Sequence, residues 1–258
     1  MSINRINALR LFEVNSSIVE WDIRRAGINL IKTFSLLPKQ KIEKLSMMEK
    51  READKKIGIM QINNREFSKS LEQAFTDIMK DFLKENSLDM DWDVLSIKKD
   101  ACFVINRRIQ KSSFGEYIEF IPKNTYHAYM YLKPYEFYWT QDTLTLKNMT
   151  SDKGKREKII QLHENGILNL LDNVVHIAEV SGMNRVKLNR FLHEFVELYK
   201  KRELDFDYYR EFNVQSGYRY KVLNSETIFE WITEEMFKNV DISYNYKNII
   251  LPLINILC

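Results

Sequence analysis

Hydrophobic and polar positions alternate with two different periods along the chain, and the change of period divides it. "SSIVEW", residues 16–21, reads as a short strand ending at Asp22. Behind it Ile23, Ala26, Leu30, Ile31 and Phe34 recur at helical spacing until Pro38 ends the run. A basic helix is predicted over about residues 39–60, carrying Lys39, Lys41, Lys44, Lys50, Arg51, Lys55 and Lys56 against four acids. The next helix has a capping-box start at Asn63 with Glu66, then one apolar face of Phe67, Leu71, Phe75, Ile78 and Phe82.

"DWDVLSIKKDACFVIN", residues 91–106, reads as strand, polar turn and strand, with Asp100 at the joint. Its turn contains none of the Gly or Asn that tight turns favour. "GEYIEFI", "TYHAYMYL" and "YEFYWT" continue as aromatic and β-branched strands. From Lys155 the pattern becomes helical: an apolar run from Ile159 to Val180, then Leu188, Phe191, Leu192, Phe195 and Leu198 after the turn "SGMN". "DFDYYREF" and "YRYKVL" are short extended pieces, and a last helix starts at Thr227 with Glu230. The expected fold class is α+β. An antiparallel sheet with packed helices occupies residues 1–150, and a mostly helical region occupies 151–258.

Composition changes this picture little. Hydrophobic content of 45% and 29% charged residues are those of an ordinary globular protein. A net charge of +3 allows a nucleic-acid partner without requiring one. Cys102 and Cys258 are far apart and have no metal-spaced His, so neither a disulfide framework nor a zinc site is expected. "MSINRINALRLF" lacks a signal-peptide core, and "IILPLINILC" is about half the length of a membrane span. No membrane association and a cytoplasmic location are expected. There is no Walker loop, GxGxxG or GxSxG, and the four histidines are scattered.

The order of parts does point to chemistry. A strand ends in Asp22 with a helix behind it; a basic helix and a long amphipathic helix follow; then comes a hairpin bearing Asp100. This order, with "VEWDIRRAGINLI" and "VLSIKKDACFV", resembles the palm and thumb of family B DNA polymerases. Their motif A has an Asp at a strand end before a helix. Their motif C is a hairpin framed like V-L-Y-G-D-T-D-S-I-F-V, which "VLSIKKDACFV" matches without a gap. "KNTYHAY" echoes the family's lysine–tyrosine motif, and "LTLKNM" falls where the strand toward the thumb lies.

The resemblance implies Asp22 and Asp100 as catalytic ligands of Mg²⁺, which activates a primer hydroxyl and holds a triphosphate. It also implies phosphate or nucleic-acid contacts from Lys55, Lys56, Lys123, Tyr126, Lys155 and Arg156, with primer–template DNA as partner. The reduced layout implies a viral or mobile-element origin, and only 21 residues precede Asp22, leaving no room there for an exonuclease domain.

Two departures stand out. Lys98 occupies the position of the first motif C Asp, and Gly27 falls where the family has a bulky sugar-discriminating Tyr. An ammonium beside two buried carboxylates can substitute for a cation. A degenerate palm that binds nucleic acid without metal chemistry, its acids neutralised by Lys98, is therefore expected over an active nucleotidyltransferase. The bland readings are Asp22 as a helix N-cap, Asp100 as a surface turn, and Asp89, Asp91 and Asp93 as a solvated connector. The alternative from another class is a structural or interaction subunit, docking on a partner or on a second copy through residues 249–258.

Overall fold

The computed structural model describes residues 4–141, 143–147, 166–213 and 217–257. The protein is α+β, with antiparallel sheets and several helices. It falls into two units. The first runs to Tyr126 without the stretch Leu11–Asn15; the second is that stretch together with the chain from His127. The composition shift near residue 150 puts the boundary later than the contacts do. The aromatic strands after Tyr126 belong with the second unit.

The first unit is a six-stranded sheet with helices on one face. Its strands are β1 (Arg5–Ile6), β3 (Ile18–Ile23), β4 (Val94–Lys98), β5 (Ala101–Ile105), β6 (Ser113–Phe114) and β7 (Ile118–Tyr126). They lie in the order β1-β4-β5-β3-β7-β6, every neighbouring pair antiparallel. Side chains alternate across a strand, so Ile18, Glu20 and Asp22 share one face of β3, and Val19, Trp21 and Ile23 the other. The Ile23 face also carries Ile97, Cys102, Val104 and Phe120. These form one buried cluster with Leu30, Ile31, Leu71, Phe75, Ile78 and Phe82. The Phe82 ring stacks on Phe120 at 4.0 Å. The helices are α1 (Ala26–Thr33), α2 (Lys39–Ser46), α3 (Lys50–Asn63) and α4 (Arg65–Glu85).

Two corrections follow. The basic segment is two helices: α2 ends at Ser46 and α3 starts afresh after Glu49, and Leu45 of the first and Ile57 of the second are buried in the same cluster. The cap of α4 is Asn64, one residue later than expected: its side chain accepts from the Phe67 N–H at 3.0 Å. Gly27 lets α1 and α3 approach, since a Cβ there would sit 3.1 Å from Ile57 Cδ1.

The second unit contains the sheet β10-β9-β8-β2, built from β2 (Phe12–Glu13), β8 (Ala128–Leu132), β9 (Tyr135–Trp139) and β10 (Leu144–Lys147). Helices α5 (Asn169–Ser181) and α6 (Arg185–Lys201) share its core, and Trp139 Nε1 donates to Asp172 at 2.7 Å. A small sheet of β11 (Glu211–Asn213), β12 (Gly217–Lys221) and β13 (Ile228–Phe229) follows. The helix expected from Thr227 is therefore replaced by β13; the next helix is α7 (Glu234–Phe237), capped by Thr233. The C-terminal helical segment includes Tyr246–Ile250, a π-helix, and Leu251–Leu257. Ile249, Ile250, Leu253 and Leu257 are buried in this unit's own core. The apolar tail thus already has a partner inside its unit, which removes the reason for expecting it to dock elsewhere. No helix of the described residues is long and apolar enough to cross a membrane.

Candidate functional site

The β4–β5 hairpin closes from Lys98 to Ala101 over the two residues Lys99 and Asp100. Lys99 adopts φ +45°, the left-handed region usually left to Gly or Asn. Two contacts hold it there. Its N–H donates to Asn4 Oδ1 at 3.0 Å, and its ammonium lies 5.1 Å from the centre of the Phe75 ring. The polar turn is tied down on both sides, which is how it dispenses with glycine.

Strand β3 runs beside this hairpin. Asp22 pairs with Ala101, and the Ile23 N–H donates to the Asp100 carbonyl at 3.0 Å. The two acids, 78 positions apart in sequence, therefore sit at the same end of neighbouring strands. On the other side of β3 the pairing with β7 shifts between Glu20 and Trp21, since Glu20 faces Asn124 but Trp21 faces Pro122. Lys123 is the extra residue of this β-bulge. Its Nζ lies 3.0 Å from Asp22 Oδ2 and 3.9 Å from Glu20 Oε1. Glu20 is 2% exposed, and its Oε2 accepts from Asn124 Nδ2 at 2.7 Å and from the Tyr126 hydroxyl at 2.9 Å.

The electrostatics follow from this crowding. Burial, and next the negative charge of Asp22, push the Asp100 carboxyl above its usual range, while Lys99 and Lys123 pull the other way. Burial alone would lower the Lys123 ammonium. The hydrogen bond and charge of Asp22, with the charges of Glu20 and Asp100, outweigh it, and Lys123 holds its proton more tightly than a free lysine.

Asp22 and Asp100 thus stand at adjoining strand ends with Lys123 against Asp22, while Tyr126 reaches Glu20. Asp22 is no helix cap: α1 begins after Arg25, and the Asp22 carboxylate pairs with Lys123 instead. Lys98 lies in the same cross-strand row as Ala101 and Asp22. Lys99 and Lys123 both act on the Asp100 carboxyl, and Lys123 is a cation at the acids that the hairpin alone does not reveal. Lys55 and Lys56 are exposed on α3, whose buried Ile57 packs in the cluster on the opposite face of the sheet from Asp22. Lys155 and Arg156 lie outside the described residues.

Asp89, Asp91 and Asp93 build the connector. Asp89 Oδ1 accepts from the N–H groups of Asp91 and Trp92, and Asp93 Oδ2 accepts from the Asp89 N–H. Glu20 is the member of the site that was overlooked, although the period of two in "VEWD" sets it beside Asp22.

These residues do not fit a pair of Mg²⁺ ions. Glu20 Oε2 is already engaged by two donors, and Asp22 is engaged by an ammonium. Among the described residues no three His, Cys, Asp or Glu side chains form a metal-binding group. What the arrangement holds is a fixed positive charge among three acids.

No curated protein matches the chain. A protein-family model described as "Bacteriophage PBS1 gene 130 protein" matches it over residues 3–258. With almost its whole length matched, the chain belongs to the family of this phage protein.

Proposed function

We propose that this phage protein is a degenerate polymerase-like palm that binds nucleic acid in the host cytoplasm, with an ammonium where an active enzyme would hold metal. One observation carries the reading: Asp22 and Asp100 stand at adjoining strand ends, in the element order of a palm, with Lys123 3.0 Å from Asp22. Strand and hairpin are rigid supports for the groups they carry. With Lys123 in place the acids are neutralised without an ion. Binding then rests on phosphate contacts from exposed lysines such as Lys55 and Lys56.

The test is fluorescence anisotropy with a primer–template duplex, combined with primer extension in Mg²⁺ or Mn²⁺. Binding should weaken steeply with salt, be indifferent to chelator, and fall when Lys55 and Lys56 are changed to Glu. No extension should occur. Absence of duplex affinity at low salt would overturn the nucleic-acid reading. Extension abolished by Asp22→Ala would replace the degenerate palm with an active one.

A further inference from the structure

A groove of about 300 Å³ lies between α2 and α3, entirely within the first unit. Its floor is Leu45, Met48, Met60 and Ile59, and Lys41, Lys44 and Lys56 stand at its edges. No carboxylate, hydroxyl or aromatic ring lines it. Met48 and Met60 are half-buried, each with one side on the unit's core. Ile59 is 48% exposed, and Ile62, one turn further along α3, is 84% exposed. Exposed aliphatic side chains this close together on a polar helix pair call for a partner.

The charge around the groove says what kind of partner. Lys39, Lys41, Lys44, Lys50, Arg51, Lys55 and Lys56 outnumber Glu43, Glu49, Glu52 and Asp54 along these two helices, and the groove is lined by lysines and no acid. Three lysines thus border an apolar floor, in a segment with an excess of positive charge. Single-stranded nucleic acid would want aromatic rings for its bases, and there are none. An anionic membrane surface would want a bulky exposed Trp, Phe or Leu face, and the floor has two half-buried thioethers, one exposed Ile and a Leu45 that is itself buried. Thioether floors adapt to inserted aliphatic side chains. Grooves between helices accept an amphipathic helix through anchors at i, i+3 or i+4, and i+7.

We propose that the α2–α3 groove is the docking site for an acidic amphipathic helix of a partner protein, its apolar anchors on the methionine floor and its carboxylates against Lys41, Lys44 and Lys56. The site is independent of the nucleic-acid reading, although Lys56 stands in both.

The probe is a fluorescein-labelled peptide of about sixteen residues, built of Leu, Ala and Glu with Leu at helical spacing. Its controls are a scrambled peptide, a version with Lys for Glu, and an oligothymidylate. The full chain is titrated by anisotropy while the ¹³C-methyl signals of Met48 and Met60 are followed. The acidic peptide should bind in roughly the micromolar to hundred-micromolar range and shift both methyl signals. Ile59→Glu, and separately the pair Lys41→Glu with Lys44→Glu, should weaken it about tenfold or more. Both changes are at exposed positions, and unchanged melting curves would show that the fold is intact. Equal binding of the scrambled peptide, unmoved methionine signals, or affinity unaffected by either variant would overturn the proposal. So would an oligothymidylate that shifts Met48 and Met60 when the acidic peptide does not.

Discussion

Replacing Lys123 by Met removes an ammonium within ion-pair distance of both Asp22 and Glu20 and keeps most of the aliphatic stem. At 3.0 Å the gross attraction to Asp22 is about 5.5 kcal/mol for an effective dielectric near 20, and about 1.4 kcal/mol in bulk water. The Lys123 side chain is 52% exposed, which moves the value toward the lower end. The two carboxylate side chains are only 19% and 3% exposed, and that moves it back. Exposed pairs contribute up to about 1 kcal/mol, whereas breaking a buried one costs about 3–5 kcal/mol. A loss of about 1–3 kcal/mol is expected, seen as a fall of roughly 2–10 °C in Tm.

The pH dependence has a definite sign. The folded-state pKa of Lys123 is raised above the ordinary 10.5, so its contribution is complete below that value and is lost as pH climbs through the folded value. Thermal melts of the wild type and Lys123→Met should therefore differ by a constant amount through the neutral and mildly alkaline range, and the difference should begin to shrink only above about pH 10.5. In Asp22→Asn the same lysine substitution should cost clearly less. A difference that fails to shrink at high pH, or is undiminished in the Asp22→Asn background, would mean that the lysine acts through its stem, and the charge argument would fail.

Asp100→Asn should stabilise the protein at neutral pH, because a carboxyl whose folded pKa is raised is easier to bury uncharged. The gain should shrink as pH falls toward and below the ordinary 3.8, which paired urea melts would follow. Asn86→Ala should cost about 2–4 kcal/mol, since its buried amide donates to the Phe82 and Lys111 carbonyls and accepts from the Gln110 and Lys111 N–H groups. Faster hydrogen exchange at Gln110 and Lys111 would be its signature. Leu253→Ala should cost about 2–5 kcal/mol because Leu253 is fully buried, while Leu251→Ala, at a residue 41% exposed, should change Tm little. The reverse order in denaturant melts would restore the tail as a docking segment.

Long periodic elements were legible in the sequence, and non-local pairings were not. Helix α4 shows its apolar face over six turns, so only its cap was misplaced, by one residue. The alternation in "SSIVEW" and the apolar flanks of the Lys98–Asp100 turn were enough to place β3, β4 and β5. The break between α2 and α3 has no Gly or Pro to announce it. The domain boundary was missed for a similar reason. Strand β2 is two residues long, and its pairing of Phe12 with Met130 has no local signature.

Lys123 shows most sharply where such reading ends. Among 39 basic residues nothing in the sequence marks it out as the partner of Asp22. If the register of Ile18 with Tyr126 and Glu20 with Asn124 continued unbroken, Trp21 would face position 123. The lysine would then point to the side of the sheet occupied by Cys102 and the helices, where an ammonium has no partner. The bulge between Glu20 and Trp21 adds one residue to β7, sets Pro122 opposite Trp21, and frees Lys123 to reach the acids. Pro122 suits that place, since a proline in a sheet needs a bulge or an edge. The ammonium at the acid cluster is thus a product of strand register. In an ungapped alignment Lys98 was the evident candidate because only the hairpin was in view.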